Sequence, residues 1–322
     1  MTLSSDTCVL LTDAPWVDTE LEENIFRSAG LEFIRAPAEE ETLARLLASV
    51  EPAAIITCWA LISPGMIHEA EKLRVIARLG AGVDNVAVEA ATDRGIWVTN
   101  VPDYCVGEVS DHAVALMLAH CRGIVRLDAE VKRTGWRSDG AGLQRVSDLT
   151  VGIVGLGRIG SETARKLKAF GCRVIAMART GSHDSSLAEP VDPDNFARLA
   201  DVIILHAPLN AETSGMIDTR FLSKCAKRPL LINVSRGGLV DNAALAVALD
   251  AGMIGGAALD VVDGEPSPPQ SLLNRTDVII TPHVAYASTA AMVELRTRAC
   301  EEVIRVLRGE QPRNACNTPR VT

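Results

Sequence analysis

The stretch Val151-Gly-Ile-Val-Gly-Leu-Gly-Arg-Ile-Gly160 constrains the fold of this 322-residue chain more than any other. Val151, Ile153 and Val154 read as a short buried strand. Gly155, Gly157 and Gly160 follow, with Arg158 and Ile159 between them, and then a helix begins. At this spacing, glycines allow a tight turn, a close backbone approach to a pyrophosphate, and close packing of helix on strand. The helix N-terminus offers unpaired N–H groups and a positive dipole end to an anion. Glycine-rich turns are common, so the spacing alone is weak. Its surroundings strengthen it. A helical pattern runs through Thr163, Ala164, Leu167 and Phe170, stops at Gly171, and leads into a second apolar strand, Arg173 to Met177. That is one βαβ unit of the length a dinucleotide-binding site needs.

The length predicts about two domains with ample core. Nearly half of the residues are hydrophobic and the formal charge is −9. With no basic run, neither nucleic acid nor an anionic membrane is an expected partner. No apolar stretch reaches the roughly 18 residues of a membrane span. The eight cysteines have no C-x-x-C or zinc-ligand spacing, and most, such as Cys8, Cys58 and Cys172, lie in apolar segments. They read as reduced core residues, and no metal is expected. The N-terminus lacks the charged region and long apolar run of a signal peptide. A cytoplasmic location is therefore expected.

Apolar strands and helical patterns alternate along the chain. Strands are expected at Thr7–Thr12, Leu31–Arg35, Ala53–Thr57, Arg74–Arg78 and Gly95–Thr99. Ser63 reads as the cap of a helix with Pro64 at its first position. A long, broadly apolar helix is predicted from Val106 to about Arg126, and an extended polar connection from Lys132 to Ser147. A helix apolar over so wide an arc is usually buried in a core or a subunit interface. Further strands are expected at Val202–His206, Leu230–Val234, Gly256–Asp260 and Val278–Thr281, and a last amphipathic helix from about Ala287 to Leu307. This alternation predicts α/β architecture, with parallel sheets covered on both faces.

Ligands in such sheets sit at the carboxyl edge of the strands. His206, Ser235 and Arg236, Asp260, Glu265 and His283 all fall just after predicted strands. A guanidinium can clamp a carboxylate at two points. A histidine can exchange a proton near neutral pH, and a carboxylate beside it fixes its tautomer and favours its protonated form. Beside a nicotinamide, Arg236, Glu265 and His283 would make a hydride-transfer site for a 2-oxo or 2-hydroxy acid. Taken singly, Glu265 before Pro266 reads equally well as a turn carboxylate, and His283 after Pro282 as a capping residue. Arg236 alone could pair with a surface acid. His206 reads as a structural loop residue that can line a cofactor.

With Gly155-Leu-Gly-Arg-Ile-Gly160, several further segments resemble the D-isomer-specific 2-hydroxyacid dehydrogenases. They are Leu205-His-Ala-Pro-Leu209, Asn233-Val-Ser-Arg-Gly-Gly238, Ala258-Leu-Asp-Val-Val-Asp-Gly-Glu-Pro266 and Thr281-Pro-His-Val284. Together with Asn100-Val-Pro102 and the helix start at Val106, they cover most of the chain in family order. The match is closest to the branch with glyoxylate–hydroxypyruvate reductases and C-terminal-binding-protein-like members. The resemblance implies two Rossmann-like, doubly wound parallel-sheet domains with a cleft between them. Residues 101–286 would form an inserted dinucleotide-binding domain. Residues 1–100 and 287–322 would form a flavodoxin-like substrate domain. A homodimer built on the helix after Val106 is also implied.

Residue by residue, the resemblance makes Arg236 the substrate clamp, His283 the acid/base, and Glu265 its partner. Asp260 would contact the nicotinamide carboxamide, and Pro208 and Val234 would line the cofactor. The backbone at Ala81 and Gly82 would reach the substrate carboxylate. Family members that oxidise phosphite carry lysine where this chain has Ala81, so phosphite is not an expected substrate. Trp59, Ala60, Tyr104 and Tyr286 are candidates for the side-chain pocket, although Trp59 and Tyr104 could equally be packing aromatics.

One departure bears on the cofactor. NAD-using members place an acid at the end of the strand after the glycine motif, where it binds the ribose 2′-hydroxyl. Here Ala178, Arg179 and Thr180 stand there, and no acid follows until Asp184. A small residue followed by arginine leaves room and charge for a 2′-phosphate. NADP is expected, with NAD possible. Ser182 and His183 could assist. Two other functions remain open from the sequence: a dehydrogenase of an unusual acid such as a phosphonate, and a nucleotide-sensing regulatory protein.

Overall fold

The computed structural model describes residues 7–36, 40–136, 140–177 and 186–320. The chain divides into two compact units. One comprises Met1–Tyr104 and Ser288–Thr322, and the other Cys105–Ala287.

The first unit is built on a five-stranded parallel sheet: β1 (Cys8–Leu11), β2 (Glu32–Arg35), β3 (Ala54–Thr57), β4 (Val75–Arg78) and β5 (Trp97–Thr99). Their order is β2-β1-β3-β4-β5. β1, β3 and β4 are buried at every position, because helices cover both faces. Their continuous apolar runs follow from that. Leu10, Ile55, Ile76 and Val98 form the core with Leu43, Leu47, Ile62 and Ile67. The helix Pro64–Glu69 starts as expected: the Ser63 hydroxyl accepts from the Met66 N–H, and Pro64 fills the first turn. The last helix, Thr289–Leu307, is capped by Ser288 and returns to this sheet. Arg74, just before β4, donates to the terminal carbonyls of that helix at Val306 and Leu307. Cys316 then donates its N–H to Val98 in β5.

The second unit carries a seven-stranded parallel sheet. Its strands are β6 (Thr150–Val154), β7 (Arg173–Met177), β8 (Glu189–Pro190), β9 (Val202–Leu205), β10 (Leu230–Asn233), β11 (Gly256–Leu259) and β12 (Val278–Ile280). The order is β12-β11-β10-β9-β6-β7-β8. The chain winds outward from β6 through β7 to β8, then returns to β6's other side at β9. The reversal opens a crevice at the carboxyl ends of β6 and β9, the topological switch point where such sheets bind ligands. The edge strand β8 is two residues long and ends in proline, which blunts it against further pairing. Phe196, Ile203, Leu205, Leu231 and Leu245 are among the buried residues of the core.

The long helix expected to reach Arg126 is divided. One helix runs Val106–Cys121, and a second runs Ile124–Thr134 through part of the segment expected to be extended. Gly123 separates them in the left-handed conformation, φ +61°. Glycine adopts this geometry without the Cβ penalty that would disfavour it in other residues. None of the second helix is buried. Among the described residues, no helix is long and apolar enough to cross a membrane. None of the eight cysteines is in a disulfide, and six are buried. Burial pushes the thiols up, Cys8 and Cys121 to about 11 and Cys58 to about 12, so they are held as poorly nucleophilic thiols.

Candidate active site

The glycine turn joins β6 to the helix Arg158–Ala169. Gly155 has φ +92°, and a Cβ there would lie 2.9 Å from the His206 carbonyl oxygen. A Cβ on Gly160 would lie 2.0 Å from the Gly155 carbonyl oxygen. Both glycines therefore serve close packing inside the protein. Gly157 differs: a Cβ there would meet nothing within 4 Å. No side chain caps the helix, so no side-chain acceptor engages its first N–H groups. An uncapped helix start beside an open glycine fits the pyrophosphate of a dinucleotide. Arg158 is exposed and Ile159 half-buried beside it. Pro208 is exposed beyond the end of β9, and Val234 is buried beyond the end of β10. Ala178, Arg179, Thr180, Ser182 and His183 lie outside the described residues.

His206 follows β9 and faces the same turn. Its Nε2 lies 3.0 Å from the Thr163 hydroxyl, which itself donates to the Ile159 carbonyl at 3.0 Å. That hydroxyl has one proton, so it accepts from His206 Nε2–H. Burial pushes the His206 titration down to about 3. The ring is neutral in ordinary buffers and braces the turn.

Arg236, Glu265 and His283 emerge from the carboxyl ends of β10, β11 and β12, which are neighbours in the sheet. Asn233, fully buried at the end of β10, shapes the first of these loops. Its amide donates to the Arg236 carbonyl at 2.8 Å and accepts from the Ser235 N–H at 3.1 Å. The Ser235 hydroxyl donates to the Leu205 carbonyl. Gly237 lets this loop lie against the next, since a Cβ there would come within 2.2 Å of the backbone at Val262 and Asp263.

His283 Nδ1 lies 3.2 Å from both Glu265 carboxylate oxygens. A carboxylate only accepts, so Nδ1 carries the proton shared with Glu265, which leaves Nε2 as the ring nitrogen that can exchange a proton. The ring also meets Tyr286 edge-on, with centroids 6.1 Å apart. His283 has φ +53°, an uncommon backbone state for a non-glycine residue. Asp260 secures that backbone. Its carbonyl accepts from the His283 N–H at 2.8 Å. Its carboxylate, 2% exposed, accepts from the Thr281 hydroxyl and from the N–H groups of Val284 and Ala285. The Asp260 side chain thus engages the loop that bears His283. Asn233, Thr281 and His112 were not singled out from sequence. His112 shares its helix with Glu108, Ser110, Asp111 and His120, so its polarity there does not mark it out.

In the first unit, Ala81 and Gly82 follow β4 and are half-buried. The Asn100 amide donates to the Ala81 carbonyl at 2.6 Å, and the Val101 N–H to the Gly80 carbonyl at 3.0 Å. The Arg78 guanidinium lies against Gly80. Asp13 accepts the N–H groups of Cys58 and Trp59 at 2.9 and 2.8 Å, which fixes the loop after β3. Trp59 is exposed and Ala60 half-buried, whereas Tyr104 is buried.

Residues 114–285, more than half of the chain, match the model of the D-isomer specific 2-hydroxyacid dehydrogenase family, NAD binding domain. The chain belongs to that family. Among its relatives, a glyoxylate reductase of Thermococcus litoralis is 37% identical over 80% of this chain and 81% of its own length. A D-3-phosphoglycerate dehydrogenase of Archaeoglobus fulgidus is 35% identical over 92% of this chain and 57% of its own. The chain thus spans little more than half the length of the phosphoglycerate dehydrogenases it matches. Among solved structures of the fold, the TT0316 protein of Thermus thermophilus superposes with a TM-score of 0.88 at 33% identity. It covers 97% of this chain and 100% of that one. The two parallel-sheet α/β units are therefore the 2-hydroxyacid dehydrogenase fold.

Proposed function

We propose that the chain is an oxidoreductase that moves hydride between a nicotinamide and C2 of a small D-2-hydroxy acid or its 2-oxo form. The observation that carries this reading is the Glu265–His283 pair at 3.2 Å, one strand away from the loop of Arg236. When bound, the nicotinamide supplies the hydride for reduction and accepts it in oxidation. Arg236 holds the substrate carboxylate and 2-oxo oxygen. His283 Nε2 gives its proton to that oxygen as the C2–H bond forms, and takes it back in the reverse direction. Glu265 holds Nδ1–H and keeps the imidazole oriented. The Ala81–Gly82 backbone is assigned to the substrate carboxylate. The glycine turn, Pro208 and Val234 are assigned to the cofactor.

NADP is the proposed cofactor. Arg179, two residues beyond the end of β7, follows the small Ala178 where NAD-using relatives place an acid. Its guanidinium suits a 2′-phosphate. The proposed assembly is a cytoplasmic homodimer. Ile124 (57% exposed), Val125 and Val131 lie on a helix with no buried residue, and Trp136 follows it at 93% exposed. A second copy would cover them.

The reading is tested by NADPH and NADH oxidation with glyoxylate, hydroxypyruvate, pyruvate, bulkier 2-oxo acids and a phosphonate-bearing analogue. Turnover of at least one acid, preferring NADPH, is expected. Cofactor binding without turnover of any of them would overturn it. Arg179→Ala should cut NADPH efficiency at least tenfold while changing NADH efficiency little. An equal effect on both would overturn the NADP assignment.

A further inference from the structure

We infer that His112 is a positioning residue, acting through Thr281 and Asp260 on the loop that carries His283. The inference rests on the function proposed above for His283. His112 sits inside the helix Val106–Cys121, 169 residues from its partner in sequence. Its Nε2 lies 3.0 Å from the Thr281 hydroxyl oxygen. That hydroxyl lies 2.6 Å from Asp260 Oδ1. A carboxylate only accepts, so the single hydroxyl proton of Thr281 goes to Asp260. The Thr281 oxygen must then accept from His112 Nε2–H. The result is a directed chain, His112 to Thr281 to Asp260, within one unit of the molecule. His112 Nε2 is 3.6 Å from Asp260 Oδ1, too far for a good hydrogen bond. Thr281 is therefore the required link.

The chain ends where precision matters. Oδ1 of Asp260 also accepts from the Val284 N–H at 3.0 Å, and Oδ2 from the Ala285 N–H at 2.9 Å. These bonds flank His283, whose left-handed backbone persists only while its surroundings hold it. Without the His112 donor, the Thr281 hydroxyl can rotate toward another acceptor. Asp260 Oδ1 then loses its shortest bond. The 281–285 loop loosens, and the imidazole drifts from Glu265.

Three variants test this. His112→Phe keeps a ring but has no donor, His112→Gln keeps a donor but has no ring, and Thr281→Val keeps the shape of threonine without its hydroxyl. His112→Phe and Thr281→Val should lower kcat by about ten- to a hundredfold, the cost of displacing a reacting group by an ångström or less. KM for the cofactor should stay near wild type. His112→Gln should recover most of the loss. The opposite order, with Phe near wild type and Gln impaired, would show that the ring merely fills space and would overturn the inference. Amide hydrogen exchange across residues 281–287 provides a readout independent of turnover. It should quicken at least tenfold in the Phe and Val variants and not in Gln. Unchanged exchange in both the Phe and Val variants overturns the inference whatever the activity. Faster exchange in a protein whose wild type turns over no acid keeps the loop-holding chain and overturns only the function proposed for His283.

Discussion

His283 occupies a backbone state that costs energy, and its partners all act to keep it there. Its N–H is held by the Asp260 carbonyl, its ring by Glu265, and its neighbours by the Asp260 carboxylate. His283→Ala should lower kcat by about a hundredfold or more, the usual worth of a positioned acid/base, while cofactor binding followed by fluorescence is retained. Near-wild-type turnover would remove His283 from the mechanism. In the wild type, reduction should slow as pH rises and oxidation should slow as pH falls, because the two directions use opposite protonation states of one imidazole. His206 makes a separate prediction about stability. Its folded-state titration is depressed to about 3, so an unfolded chain binds a proton there that the folded chain refuses. The stability from this site is complete above the ordinary histidine range near 6.5 and is lost as pH falls toward about 3. Thermal unfolding of His206→Gln should therefore depend less steeply on pH between about 6 and 4 than that of the wild type. Parallel slopes would mean that His206 is not held neutral.

Within the glycine turn, the three glycines have different tasks, and alanine substitutions separate them. Gly160→Ala pushes a methyl into the Gly155 carbonyl, so it should destabilise the protein by about 1–3 kcal/mol, as overpacked cores do. Gly157→Ala meets open space, so the unfolding temperature should stay put while NADPH affinity falls at least tenfold. If Gly157→Ala binds cofactor normally, the open space is not the pyrophosphate site. The helix Ile124–Thr134 is a second element with a testable face. Ile124→Asp with Val131→Asp should shift the mass measured by light scattering from two copies to one, leaving helix content unchanged. A mass unaffected by both charges would place the subunit contact elsewhere.

At the scale of the whole molecule, what could be read in advance follows from how far apart the interacting residues lie. Strands such as Val202–Leu205 are covered on both faces, so they appear as unbroken apolar runs and are readable locally. The glycine turn is equally local. The division at Gly123 is harder to read, because apolar residues continue on both sides and mask the stop that a glycine signals. Arg236, Glu265 and His283 could be gathered in advance because each follows a strand. The chain from His112 could not, because its link lies 169 positions away and nothing nearby records it. The two-residue strand β8 is too short to leave a pattern.

The division of the chain also bears on the order in which a ribosome delivers it. Once residue 287 has emerged, the second unit is complete in one continuous piece. The first unit is still waiting for Thr289–Leu307, whose final carbonyls take up Arg74, and for Cys316, which pairs with Val98. Part of one face of its sheet must remain uncovered through nearly two hundred further residues of synthesis. Of the two units, the one begun first is thus the last to close.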